Sequence, residues 1–343
     1  MNTVAAKRSP SGRILAGLGV VVACSVAWIA APCRASNSRA GAAQSNGAQS
    51  SASQSSSQTS GQQPAGQQPT NGSQTSEARG AFFYTSPNEA RVHLAMELPT
   101  SSIEFAKVKG KYHADVNILG IAYRADGSVA SRFSDEVTLD MEKEEWEKFI
   151  KAPMHYENQF SVAPGQYKLS VVLSGGGQKF ASYQTALAID AYDGKKFSLS
   201  GVALSNQIQP VSTMGGALDA DLLADRAPLV ARDLELTPSG NNHFKKTDKA
   251  ALYAQIYVPR LVDANPPTVK CALVITDPKT GKSVTGASGL DMTSYIQKGS
   301  PVIPIVLKLP VEALAPGKYV LRLQANEGPN DLTEVRAVTF VVE

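Results

Sequence analysis

The chain has 343 residues, 43% hydrophobic and 18% charged, with a net charge of +3. That length allows two or three domains with separate cores, while the small and scattered basic excess excludes a nucleic-acid surface. Of the cysteines Cys24, Cys33 and Cys271, only Cys271 lies beyond the N-terminal stretch. An intramolecular disulfide framework in the body of the chain is therefore excluded.

Lys7, Arg8 and Arg13 precede an apolar run from Ile14 to Ala31, the pattern of a signal peptide, so export to the periplasm, cell surface or exterior is expected. Three fates fit residues 1–35. Cys33-Arg34-Ala35 has a small-residue cleavage pattern that would release a chain starting near Ser36. Val21-Val22-Ala23-Cys24 resembles a bacterial lipobox, with Cys24 becoming the lipidated first residue. Left uncleaved, the run approaches the ~20 apolar residues that span a bilayer and would act as an anchor. In each case the membrane is met only through this segment. Residues 36–78, including "SSASQSSSQTSGQQPAGQQPTNGSQTS", are almost free of apolar side chains. They cannot bury enough surface to offset the entropy of ordering, so a disordered linker is predicted, with a root-mean-square reach of roughly 35 Å.

Beyond it the chain writes one pattern twice. "APGQYKLSV" occupies 163–171 and "APGKYVLRL" occupies 315–323; upstream, "LDM" begins at Leu139 and again at Leu290. "YRADGSV" (123–129) parallels "TDPKTGKSV" (276–284) as a polar glycine turn between alternating runs. "YHADVNI" (112–118) and "LYAQIYV" (252–258) match at a different offset, which implies an insertion near "LVDANPPTV" in the second copy. Two copies of one domain are predicted, at 79–205 and 206–343.

The local code of each copy is strand. Val92, Leu94, Met96 and Leu98 alternate, as do Tyr167, Leu169, Val171 and Leu173, and Tyr319, Leu321 and Leu323. Pro164-Gly165 and Pro316-Gly317 are turn chemistry, with glycine free to take a positive φ. The tyrosine that follows each resembles a tyrosine corner, its hydroxyl returning to nearby backbone. "SGGGQK" and "NEGPND" then predict hairpins into closing strands "YQTALAID" and "VRAVTFVV". The expected fold is all-β: two tandem immunoglobulin-like β-sandwiches. The first carries a short helix in "LDMEKEEWEKFIKAP", capped by Asp140, with Trp146, Phe149 and Ile150 on one face and Pro153 as its stop. That helix reads as a cover over a sandwich edge or as a docking element. The stretch 209–228 mixes loop with a short helical turn.

Chemistry is harder to find. His93, His113, His155 and His243 have no paired metal-ligand spacing and are expected at surfaces or edges. No GxSxG elbow occurs. "TGKS" (280–283) lacks the first glycine of a phosphate loop, with Thr276 in its place, and reads as a hairpin turn. "DGSVAS" (126–131) has Ala130 where a DxSxS metal site needs its last serine. "DADLLAD" (219–225) lacks calcium-loop spacing and reads as a solvated loop that could take adventitious calcium. Cys271 alternates with Val269, Leu273 and Ile275, so it is expected as a buried small hydrophobe. No catalytic, cofactor or metal residue is assigned, and no cofactor is expected.

"FFYTSPNEARVHLAMELP", "VSTMGGALDADLLADRAPLVARDLELTPSG", "FKKTDKAALYAQIY" and "LAPGKYVLRLQA" together resemble the β-sandwich tail that follows the von Willebrand factor A-related domain in certain bacterial exported proteins. The resemblance covers about residues 80–343 and implies an envelope protein concerned with protein interaction or assembly. The A domain itself is absent, so its metal-dependent adhesion transfers to no residue here. The expected function is a non-enzymatic exported protein presenting two sandwiches to a protein or cell-wall partner, with edge-strand addition as one mode. The alternative is a carbohydrate or cell-wall binding module, or an enzyme whose site is assembled from distant residues. Tyr84, Trp146, Tyr156 and Tyr192 are the aromatics that could stack on sugar.

Overall fold

Period-two alternation runs through most of the chain and sets its strands. The computed structural model describes residues 7–8, 78–211, 227–328 and 330–343. Cys24, the rest of the expected signal segment, the linker up to residue 77 and the carboxylate run 219–225 lie outside the described residues.

Lys7–Arg8 (β1) pairs with Val137–Thr138. The first sandwich contains β2 (Ala78–Ser86), β3 (Glu89–Leu98), β4 (Ala106–Val108), β5 (Lys111–Arg124), β6 (Val129–Met141), α1 (Lys143–Phe149), β7 (Met154–Val162), β8 (Gly165–Ser174) and β9 (Phe180–Ile189). One sheet has the order β2-β3-β7 and the other β6-β5-β8-β9, with β4 also on β5. All these pairings are antiparallel. Inward residues of both sheets, among them Val92, Leu94, Met96, Val116, Ile118, Leu169 and Leu173, form its core. Burying each such side chain is worth about 1.5–3 kcal/mol before the entropy of ordering is set against it.

The second part contains β10 (Ser198–Leu199), β11 (Ala203–Ser205), β12 (Gln207–Pro210), β13 (Leu229–Ala231), β14 (Leu234–Thr237), β15 (His243–Phe244), β16 (Ala251–Tyr257), β17 (Lys270–Thr276), β18 (Ser283–Asp291), β19 (Val302–Lys308), β20 (Gly317–Asn326) and β21 (Arg336–Val342). Here β10 and β11 share one side of β16, with β19 on the other. The facing sheet runs β15-β21-β20-β17-β18, and β12-β14-β13 is a small separate sheet. Strand for strand, β16, β17, β18, β19, β20 and β21 repeat β3, β5, β6, β7, β8 and β9. Both copies are immunoglobulin-like sandwiches.

The repeated nonapeptides are the turn into β8 and into β20. Tyr167 donates its hydroxyl to Ala163 O (2.7 Å) and Tyr319 to Ala315 O (2.8 Å), the geometry of a tyrosine corner in each copy. Gly165 and Gly317 take φ of 159° and 156°. Cys271 is buried on β17 with Leu273 and Ile275, and burial pushes its thiol up to about 12.

Four expectations change. β10 and β11 pair with β16, so the second sandwich draws its first strands from residues upstream of 206. "YHADVNI" lies on β5 whereas "LYAQIYV" lies on β16, so these runs occupy different strands of the repeat. Their likeness is only shared alternation, and it gives no ground for an insertion near 261–269. The helix is capped by Glu142 rather than Asp140, in a reciprocal capping box with Glu145. Asp140 is still in β6, opposite His113. His93 is buried, its ring edge-on to Phe83 at 5.1 Å, because its side of β3 faces the second sandwich.

That junction has a core of its own. Ala81 and Phe83 from the first sandwich meet Leu229, Ala231 and Leu236 of the small sheet and Ala203, Ala251 and Tyr253 of the second sandwich. Tyr257 inserts beside Tyr84 and accepts a hydrogen bond from Tyr84 N (2.8 Å). Arg336 pairs with Asp190, donates through Nε to Leu199 O (3.1 Å) and Ser200 O (3.0 Å), and lies over the Phe82 ring at 5.1 Å.

Candidate binding site

Three connections gather at one end of the first sandwich: the segment from β3 to β5, the α1 region between β6 and β7, and the β8–β9 hairpin. In immunoglobulin variable domains the equivalent end carries the binding loops. Here they surround an open basin of about 600 Å³. Ile103, Phe105, Trp146 and Ile150 supply an apolar floor, and Glu104, Lys151 and Lys179 stand among its lining.

The helix is short, so its position depends on contacts. Glu144 and Glu145 in the first turn and Lys148 in the last complement the helix dipole. Lys111 reaches Glu142 at 3.0 Å. Trp146 stacks on Tyr112 with centroids 4.1 Å apart and planes within 5°, while Phe105 stands edge-on to Trp146 and Phe149. Ile150, expected on one face with Trp146 and Phe149, is the C-cap and is exposed toward the basin.

Hydrogen bonds fasten the three segments together. Thr100 Oγ1 donates to Ile150 O (3.2 Å), Glu104 N to Gly175 O (2.7 Å), and Lys179 Nζ to Ile103 O (3.1 Å). Gly175 is needed for this approach: a Cβ there would lie 1.9 Å from Ser102 O. The result is a basin with an aliphatic and aromatic floor and charges of both signs at its margin, suited to an apolar side chain flanked by polar groups.

The residues flagged as candidates in the sequence fall elsewhere, apart from Trp146. Tyr84 and Tyr156 are buried, and Tyr192 stacks on Tyr84 at 4.5 Å. Burial is the first cause holding the Tyr84 hydroxyl up at about 12. Trp146 has one face covered by Tyr112. His155 lies between Glu97 (2.9 Å) and Glu157 (3.3 Å). Burial alone would lower it, but hydrogen bonds and charge from the two carboxylates outweigh that and hold it up at about 9. His113 is similarly bracketed by Asp140 (2.8 Å) and Asp115 (3.3 Å), and His243 meets Glu343 at 3.1 Å. Each histidine–carboxylate group links neighbouring strands or a single strand face.

"DGSVAS" opens in the β5–β6 turn, where Asp126 accepts from Ser128 N (2.9 Å) and Ser128 Oγ (2.7 Å). "TGKS" closes the β17–β18 hairpin, with Asp277 N donating to Lys282 O (3.0 Å). Among the described residues no group of three or more His, Cys, Asp or Glu is placed to hold a metal. Among them, too, no helix is long and apolar enough to cross a membrane. The sequence pointed to Trp146 but missed Phe105, Ile103 and Lys179, which lie far apart in the chain. The only signal for them was Gly175, within a glycine run longer than a hairpin needs.

No protein-family model matches the chain, and no curated protein does. Among solved structures, the chain is similar to a two-domain fibronectin type-III segment from chicken tenascin, at 9% identity over 77% of this chain and 99% of that one, with a TM-score of 0.19. A β-D-glucuronidase of Dictyoglomus thermophilum matches at 8% identity over 79% of this chain, with a TM-score of 0.19; the match spans 45% of that chain, less than half its length. A collagen adhesin from S. aureus matches at 8% identity over 75% of this chain and 88% of that one, with a TM-score of 0.15. At such scores the likeness carries no activity or partner across, and the fold stands on its own strand order.

Proposed function

We propose that the protein is a non-enzymatic, exported envelope module that binds another protein through the loop end of its first sandwich. The observation that carries this reading is the basin itself. Three chain segments far apart in sequence are fastened around an apolar floor that stays open, an arrangement that the sandwich core does not require. Pre-organised loops bind with little ordering cost, which favours affinity from a small apolar anchor.

A protein partner is favoured over a glycan because of how the aromatics are used. Tyr84, Tyr156 and Tyr192 serve packing, and Trp146 offers at most one face. The signal-like N-terminus and the Ser/Gln-rich segment support a tethered envelope position, as does the resemblance to the tails of A-domain-related exported proteins.

The test is a photo-cross-linking amino acid placed at Ile150 in the intact chain within its native envelope, with Asp126 at the opposite end as control. A discrete protein adduct from position 150 and none from 126 is expected. Glycan adducts at 150, or the same adducts from both positions, would overturn the proposal.

A further inference from the structure

Sheet edges are dangerous because their unpaired backbone groups recruit other strands, and proteins blunt them with charge, proline, bulges, shortness or cover. In this molecule nearly every long edge is blunted. β6 carries Arg132, Asp135, Glu136 and Asp140. β7 carries His155 and Glu157. β19 has Pro304 at its middle, and Tyr295 donates to Val306 O (2.6 Å). β18 has register shifts at two places. β2 gives Phe82 O to Gly201 N (2.8 Å), and β15 covers the end of β21.

β9 is the exception. Its ten residues, Phe180–Ile189, include no charge, proline or glycine, and its register with β8 is unbroken. It ends its sheet, with no further strand beyond it among the described residues. Thr185 and Ala186 line a cleft shared with β2 and β21, which leaves Phe180 to Gln184 as the open length.

That length also borders the barest apolar ground on the first sandwich. Phe180 is 65% exposed, Leu119 43% and Val172 39%. Leu119 is registered with Val172, Val172 with Ser182, and Phe180 lies two residues from Ser182, so all point to one outer face. Lys179, the residue before this edge, lines the loop-end basin. The open edge and the basin are therefore continuous.

We infer that the edge of β9 from Phe180 to Gln184 is a strand-addition site for an extended, uncharged segment of a partner protein, with apolar residues at alternate positions that pack against Phe180 and reach over Ser182 toward Val172 on the outer face. This deepens the reading of the protein as a binding module, and it rests on that reading. A second copy of the chain is the poorer occupant. A five-residue strand is about 17 Å long, and self-pairing over that strip falls far short of the ~800 Å² per partner of a stable interface. A peptide strand needs no such area, since main-chain bonds supply affinity and alternate side chains supply selectivity.

The test uses the full chain and a lysine-capped synthetic peptide of alternating threonine and valine, with binding read by fluorescence anisotropy and by amide hydrogen exchange. Saturating peptide is expected to slow exchange within residues 180–184. The same peptide with alternate amides N-methylated should bind at least roughly tenfold more weakly, because backbone pairing carries affinity in this mode. The Phe180→Ser variant, with unchanged circular dichroism, should weaken binding as well. Absence of protection at 180–184, protection at another edge instead, or equal binding of the N-methylated peptide would overturn the inference. So would protection that grows with protein concentration alone and accompanies a sedimenting dimer, which would assign the edge to a second copy. Cross-linking from Ile150 reads the basin independently, so failure at β9 and failure of the binding reading give different results.

Discussion

The two tyrosine corners allow the repeat to be tested as physics rather than as a likeness of letters. Tyr167→Phe and Tyr319→Phe each remove one hydroxyl and leave the ring, so neither opens a cavity. The bonds lost are 2.7 Å to Ala163 O and 2.8 Å to Ala315 O, and both tyrosines are 7% exposed. A net hydrogen bond is worth about 1 kcal/mol, so equal losses near that size are expected. The two rings belong to separate cores, and distant sites add. The double variant should therefore lose about 2 kcal/mol by the same reckoning. Urea denaturation followed by far-ultraviolet circular dichroism reads this as a shift in midpoint at constant slope. Glycine substitutions sharpen the comparison. A Cβ at Gly165 would stand 3.0 Å from the Tyr167 hydroxyl, whereas at Gly317 the nearest Tyr319 atoms are 3.9 Å away. Gly165→Ala should thus cost more than Gly317→Ala. Unequal losses in the two Phe variants, or no loss in either, would refute the claim that APGxY performs one task twice.

Two further outcomes follow from the first sandwich. His155 is held up at about 9 by Glu97 and Glu157, so its folded-state value exceeds its unfolded one near 6.5. Its contribution is then complete below pH ~6.5 and lost as pH rises through ~9. Melting temperature measured from pH 6 to 10 should fall more in the native chain than in His155→Gln, and parallel curves would contradict the pairing. Gly175→Ala forces the β8–β9 hairpin away from Ser102, at a cost of about 1–3 kcal/mol. The emission of Trp146 should shift to the red as the basin opens, and an unchanged spectrum would show that the hairpin does not hold the loop end together.

What the sequence revealed, and what it hid, follow one division. Alternation and turn chemistry are local, so β5, β6, β8 and their counterparts β17, β18 and β20 could be read directly, as could the burial of Cys271. Strand order is not local. "YHADVNI" and "LYAQIYV" share alternation, yet one lies on β5 and the other on β16. The cap of α1 turned on where β6 stops pairing with β5, which keeps Asp140 in the strand and leaves Glu142 to cap. The burial of His93 depended on the junction, which no single segment encodes. At the loop end the helix and its tryptophan were legible. The Tyr112 ring that turns Trp146 into part of a fixed floor was not.

The junction also bears on how binding would work. Two sandwiches joined by an exposed linker would present their surfaces independently, each partner contact bearing its own ordering cost. Here Tyr257 of the second sandwich is counted among the core residues of the first. Arg336 on β21 fastens Asp190, just after β9, to the backbone of Leu199 and Ser200. The closing strand of each sandwich is thus held at the same crossing. The consequence for β9 is asymmetric: Thr185 and Ala186 line a cleft walled by β2 and β21, while Phe180 to Gln184 stay open beside the basin. The same contacts that join the repeats bring β21 up to the cleft at Thr185 and Ala186, and so help select which part of the edge a partner can reach.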